Sequence, residues 1–177
     1  PDEARNALGA NGAPAKLLLN GAINIRVEVD PLPTLALDGT LLRSVFTNLA
    51  TNALQAMIEA SQASTKGGEL LVRAHKVGRS VYVRFRDTGP GIPIESREKI
   101  FDPLFTTRAE GTGLGLAICN KTVDAHGGKL SIRDAPGGGA EFVIRLPMVA
   151  AAGSGPTLAP EPGILETPSG AGSGSAE

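Results

Sequence analysis

The sequence predicts an α+β fold, a two-layer α/β sandwich in which a mixed, mostly antiparallel sheet carries its helices on one face. Three observations predict it. Several short segments alternate apolar and polar residues, the mark of half-buried strands. Two longer segments repeat apolar residues at helical spacing instead. Their order along the chain is βαββ, a long loop, then αββ.

Each element has its own local reason. Ile23, Ile25, Val27 and Val29 alternate with polar residues and predict the first strand. Asp30-Pro-Leu-Pro33 ends it, and Asp38 is placed to cap a helix. Leu41, Leu42, Val45, Phe46, Leu49, Ala53 and Ala56 recur at helical spacing, so residues 39–60 are expected to be a helix that stops before Lys66-Gly-Gly68. Leu70, Val72 and Ala74, then Val81, Val83 and Phe85, predict two strands joined across Lys76-Val-Gly-Arg79. Prolines 90, 93 and 103 and several glycines make residues 87–112 mostly loop, with a helical turn expected over residues 95–100. Residues 114–125 read as a second helix closed by Gly127. Leu130 and Ile132, then Phe142, Ile144 and Leu146, complete a hairpin across Ala135-Pro-Gly-Gly-Gly139.

Composition narrows the functional classes. Hydrophobic residues make up 41% and aromatics 3%, so the expected core is aliphatic. A net charge of −1 gives no electrostatic case for nucleic acid or an anionic membrane. One cysteine, Cys119, excludes an internal disulfide framework and suits a reducing cytoplasm. It reads as a small buried apolar residue. The chain begins at Pro1 and is expected to be a fragment, with the membrane attachment of its parent left open. Residues 1–21 read as a loose lead-in, residues 22–148 as one domain, and residues 149–177, rich in Ala, Gly, Ser and Pro, as a disordered tail or linker.

Three motifs carry chemistry. Asn48-Leu-Ala-Thr-Asn52-Ala-Leu-Gln55 puts two carboxamides on one face of the first helix, with Gln55 in reach. An amide oxygen is a hard, neutral ligand that suits Mg²⁺, which otherwise keeps water and phosphate oxygens. In isolation these are ordinary surface asparagines. Asp87-Thr-Gly89-Pro-Gly91-Ile92 follows a strand, and its glycines let the backbone approach a flat ligand. A carboxylate only accepts hydrogen bonds, so Asp87 suits the exocyclic amine of adenine and disfavours guanine. Taken alone, this segment is merely a turn. Gly111-Thr112-Gly113-Leu114-Gly115-Leu116 opens the second helix, where free N–H groups favour an anion. It is neither a P-loop nor a Rossmann glycine motif. Between the glycine segments lies Phe101-Asp-Pro-Leu-Phe105-Thr106-Thr107-Arg108. Its two Phe residues are placed to clamp the loop onto the core, and Arg108 to meet a terminal phosphate.

Together these segments resemble the catalytic, ATP-binding domain of sensor histidine kinases in the GHKL superfamily. They are similar to its N, G1, F and G2 boxes, in that order, over about residues 32–147. Residues 52–57, 105–108 and 126–128 look most like the nitrogen-regulatory and oxygen-sensing branches. The resemblance implies the Bergerat sandwich, Mg²⁺ on Asn52, Asn48 near the phosphates, and Asp87 on adenine N6 with Gly89, Gly91 and Ile92 around it. It assigns the lid and phosphate contacts to Thr106, Thr107 and Arg108 and to residues 111–116. It departs at Gln55, where many members have Lys or Arg, so charge compensation falls more heavily on Arg108. It departs again in residues 142–146, which lack the hydroxyl some members place near adenine.

The resemblance further implies transfer of the ATP γ-phosphoryl to a histidine on a separate dimerisation domain of a homodimeric parent. A response regulator receiver domain would act downstream. ATP-hydrolysing relatives carry a glutamate matching Asn48, and an amide cannot take a proton from water, so Asn48 favours a kinase over a hydrolase. His75, on a strand, and His126, at a helix end, do not look like the acceptor. Self-phosphorylation of this chain is therefore not expected. The alternative is a non-catalytic nucleotide-binding regulatory module of a degenerate kinase.

Overall fold

The computed structural model describes residues 15–19, 23–61, 67–108 and 111–148. Six strands form one sheet: β1 (Ala15–Leu19), β2 (Ile23–Val29), β3 (Gly68–Val77), β4 (Ser80–Asp87), β5 (Lys129–Asp134) and β6 (Ala140–Pro147). Their order is β1-β2-β3-β4-β6-β5, and only β2 and β3 pair in parallel among them. That pair needs a crossover, which helix α1 (Gly39–Ser61) supplies. Helix α2 (Gly115–Ala125) lies between β4 and β5 in the chain. The expected two-layer architecture is the one observed. The helical turn expected over residues 95–100 is two 3₁₀ turns, Ile94–Ser96 and Lys99–Phe101.

One expectation fails. Residues 15–19 are not a loose lead-in but strand β1, paired antiparallel with β2 from Ala15↔Val27 to Leu19↔Ile23. Three consecutive leucines show no alternation, so the period-two signal that marked the other strands is missing. The remainder of the lead-in and the tail after Met148 lie outside the described residues.

The alternating residues point where their spacing says they should. Leu70, Val81, Val83, Phe85, Phe142, Ile144 and Leu146 turn to the helix side and are buried. Leu42, Val45, Leu49, Ala53 and Met57 meet them from α1, and Ala117, Cys119 and Val123 from α2. Leu49 and Ile144 are fully buried at the centre. Phe46 and Phe85 stack tilted at 5.8 Å. Burial pushes the Cys119 thiol up to about 11, so this cysteine packs rather than reacts.

Two caps fix how the helices meet each other. Asp38 Oδ1 accepts the N–H groups of Thr40 (2.8 Å) and Leu41 (3.0 Å), as its sequence position predicts. His126 ends α2 with its Nδ1 2.7 Å from the Thr122 carbonyl, so Nδ1 donates and Nε2 is left to accept. It accepts the Asp38 N–H at 3.2 Å, tying the start of α1 to the end of α2. No helix among the described residues is long and apolar enough to cross a membrane. Asp38→Ala is expected to lower the unfolding free energy by about 0.5–2 kcal/mol, the usual value of such a cap. An unchanged urea midpoint would contradict the capping role.

Candidate functional site

A cleft of about 930 Å³ opens between α1, the end of β4 and the loop before α2. All three chemical motifs reach it. Asn48, Asn52 and Gln55 line it from α1, and Asp87, Gly91 and Ile92 from the end of β4. Thr106, Thr107 and Arg108 close it on the loop side, with Gly111, Thr112, Gly113, Gly115 and Leu116. Two of the expected residues do not line it. Gly89 stands behind Asp87 as a donor, and Leu114 turns outward at 40% exposure.

Asp87 is the pivot. It is the last residue of β4, on the same face as Phe85 and Val83, and only 3% exposed. Its Oδ1 accepts the N–H groups of Gly89 (2.8 Å) and Ala140 (3.2 Å), and no described protein donor meets Oδ2. The carboxylate is thus rigid on one side and open on the other. Gly139, read in the sequence only as hairpin loop, makes this possible. It has φ +94°, and a Cβ there would collide with the Asp87 backbone. Apolar walls complete the inner end: Ile100, Phe105, Ala140 and Phe142. Local sequence did not reveal Ala140 or Phe142 as site residues, because the pairing of β4 with β6 brings them there.

The outer end is polar. Asn52 Nδ2 donates to Asn48 Oδ1 at 3.0 Å, which directs Asn52 Oδ1 into the cleft. Arg108 is folded back over this pair. Its Nη1 donates to Gln55 Oε1 (2.9 Å), its Nη2 to the Asn52 carbonyl (3.2 Å), and its Nε pairs with Glu59 (3.2 Å). Nη1 also stands 3.5 Å from Asn52 Oδ1. Glu59 is a site residue that the motifs do not reveal, although it lies seven residues beyond Asn52 on the same helical face. Glu59 is 58% exposed, so the pair adds little stability and opens readily.

The loop is closed at its base. Leu104 donates its N–H to the Gly113 carbonyl at 3.0 Å, and both residues have positive φ, 68° and 67°. For leucine that conformation is strained. Gly115 begins α2 so close to Asn48 that a Cβ would lie 2.7 Å from Asn48 Nδ2. The first-turn N–H groups of α2 have no intrahelical partner, and this end of the helix borders the cleft. Arg97 braces the opposite wall by bonding the Ile92 carbonyl (2.9 Å) and Asp134.

Comparison with known proteins agrees with the fold. The family described as histidine kinase-, DNA gyrase B- and HSP90-like ATPases matches residues 37–150. The chain belongs to that family. Within it, the chain is a catalytic ATP-binding domain of the sensor histidine kinase type. It is 41% identical over 112 residues to the nitrogen regulation protein NtrY of Azorhizobium caulinodans, covering 63% of the chain and 14% of NtrY. It is 40% identical over 119 residues to the sensor histidine kinase ZraS of Escherichia coli O157:H7, covering 67% and 24%. The nucleotide-free catalytic domain of histidine kinase ThkA superposes with a TM-score of 0.62 at 34% identity, covering 72% of the chain and 80% of that domain. The chain thus spans a quarter or less of the curated relatives it matches.

Burial holds the Asp87 carboxyl above its ordinary value of 3.8, against the opposing pull of the Gly89 and Ala140 N–H groups. The folded state therefore keeps this proton at a pH where the unfolded chain has lost it. Ionising Asp87 costs stability as pH rises through that interval, the cost being complete above the raised value. Asp87→Asn keeps an oxygen for both N–H groups, so the ligand-free variant is expected to be at least as stable as the parent chain at about pH 7. Its advantage should shrink toward about pH 4, as followed by urea unfolding. A variant less stable at neutral pH would contradict this.

Proposed function

We propose that the cleft binds Mg-ATP and that the chain transfers the γ-phosphoryl group to a histidine imidazole on a separate dimerisation domain of its parent kinase. The convergence of Asp87, Asn52 and the Arg108 loop on one cleft carries this reading. Asp87 Oδ2 is the acceptor for the adenine amine, with Ile92, Ile100 and Phe142 against the ring. The residues present fit a magnesium ion. Asn52 offers one neutral oxygen, and among the described residues no group of three His, Cys, Asp or Glu side chains forms a metal site by itself. Such an ion must take most ligands from phosphate and water, as Mg²⁺ does. When bound, it neutralises charge developing on the phosphates. Asn52 is the residue that would hold it.

The rest of the chemistry is positioning and charge. Arg108 leaves Glu59 for the terminal phosphate, the role Gln55 cannot fill without a charge. Residues 111–116 supply backbone N–H groups to the polyphosphate. Asn48 also lines a shallow hollow on α1 beside Arg43 and Thr47, the side proposed for approach of the acceptor side chain. An imidazole nitrogen is already nucleophilic, so the amide of Asn48 orients without acting as a base. Exposed Leu104, Leu114 and Ile118 offer an apolar seat for the histidine-bearing domain. Phosphate would then pass to a receiver domain, on the cytoplasmic side of any membrane the parent spans. The branch is proposed as the nitrogen-regulatory and oxygen-sensor one, supported by residues 52–57 and 105–108 and by the NtrY similarity.

The test supplies a cognate histidine-bearing domain and radiolabelled ATP with magnesium. Acid-labile label on that domain is expected, and Asn52→Ala is expected to abolish it together with magnesium-dependent ATP affinity. ATP should also bind more tightly than GTP by about 1–3 kcal/mol, the value of a hydrogen bond to a charged group. Mg-ATP binding without any label would favour the non-catalytic regulatory module. Equal ATP and GTP affinities would remove Asp87 from its role.

A further inference from the structure

The sheet face opposite the helices carries a pattern of charge that the nucleotide cleft does not use. Arg73 lies directly opposite Arg84 across β3 and β4, an arrangement that like charges make unfavourable. One row on, Arg86 stands beside Glu141, which is already bonded to Arg133. The other acids on this face, Glu28 and Glu69, are engaged by Arg26 and Arg73. Arg84, Arg86 and Arg145 have no carboxylate partner among the described residues. The chain as a whole has a net charge of −1, so this positive face is a local feature.

A second, independent observation falls on the same face. Among the described residues, three buried side-chain atoms lack a hydrogen-bond partner: Asn24 Oδ1, His75 Nδ1 and Arg84 Nε. They sit on β2, β3 and β4, all on the helix-free side. Buried polar groups are normally satisfied. Between them Leu71, Tyr82 and Val143 are half-buried, and His75 stacks on Tyr82 at 5.8 Å. Burial, then Arg84 and Arg73, hold His75 below its ordinary 6.5, with Asp30 pulling the other way.

We propose that this face docks an acidic polypeptide segment from outside the chain, with carboxylates seated on Arg73, Arg84, Arg86 and Arg145. The half-buried Leu71, Tyr82 and Val143 among the arginines favour a polypeptide over a phosphate array. A peptide offers apolar side chains and carboxylates together, whereas lipid headgroups and nucleic-acid backbones offer this face chiefly charge. The arginines also lie along the sheet with Arg84 and Arg86 half-buried, a surface shaped for a strand or helix laid across it.

The experiment titrates the isotopically labelled chain with a short poly-L-glutamate peptide at low salt and follows backbone amide shifts. Phosphatidylserine vesicles and duplex DNA are titrated in parallel. Shifts confined to residues 71–75, 82–86 and 143–145 are expected. Arg84→Glu and, separately, Arg145→Gln should weaken peptide binding, by about tenfold for the charge reversal. Lys121→Glu on α2 should not, and nucleotide affinity should be unchanged in all three variants. The wild-type shift map keeps the test decisive if Arg84→Glu fails to fold. Absent shifts, shifts centred on the cleft or on α2, equal loss with Lys121→Glu, or tighter binding to vesicles or DNA than to the peptide would each overturn the proposal.

Discussion

One buried carboxylate, half satisfied by the protein, sets the terms for this site. Asp87 gives Oδ1 to two backbone N–H groups, and no donor among the described residues meets Oδ2. This requires that β4 end where β6 begins, because Ala140 is one of the two donors. It requires Gly139, since any side chain there would displace the Asp87 backbone. The antiparallel pairing of β4 with β6 therefore fixes the Asp87 carboxylate as well as adding stability. Holding an ionisable group at 3% exposure has a desolvation cost, a kind of perturbation that clusters at functional sites.

The polar end of the cleft is built on a different principle. Where Asp87 is rigid, Arg108 is loosely held, by an exposed ion pair and by two amide side chains that themselves belong to the site. Exposed pairs are weak, so Arg108 is readily released from Glu59. In the ligand-free chain the guanidinium covers the Asn52 oxygen that a metal would need. A rigid acceptor at one end and a displaceable cation at the other suit a ligand that has an aromatic ring at one end and several charges at the other.

Much of this was legible in the sequence, for physical reasons that also explain what was not. Periodicity exposed the two helices and five of the strands, because one face of each is buried and the other wet. It missed β1, whose leucine run has no alternation. The motifs pointed to Asn48, Asn52, Asp87 and Arg108 because segments that are ordinary alone stand together in one order and spacing. Ala140, Phe142 and Gly139 carry no such mark, and only strand register brings them to Asp87. Glu59 was hidden for the opposite reason, since an exposed glutamate on a helix is ordinary until its partner is known. Net charge was the least informative quantity. Near zero overall, it concealed arginines gathered on one face of the sheet.

The most direct measurement is a crystal structure of this chain with magnesium and a non-hydrolysable ATP analogue. The account predicts the adenine amine on Asp87 Oδ2, the metal on Asn52, and Arg108 moved from Glu59 to the terminal phosphate. A nucleotide seated away from Asp87, or one bound in the cleft with Arg108 still paired to Glu59, would contradict it.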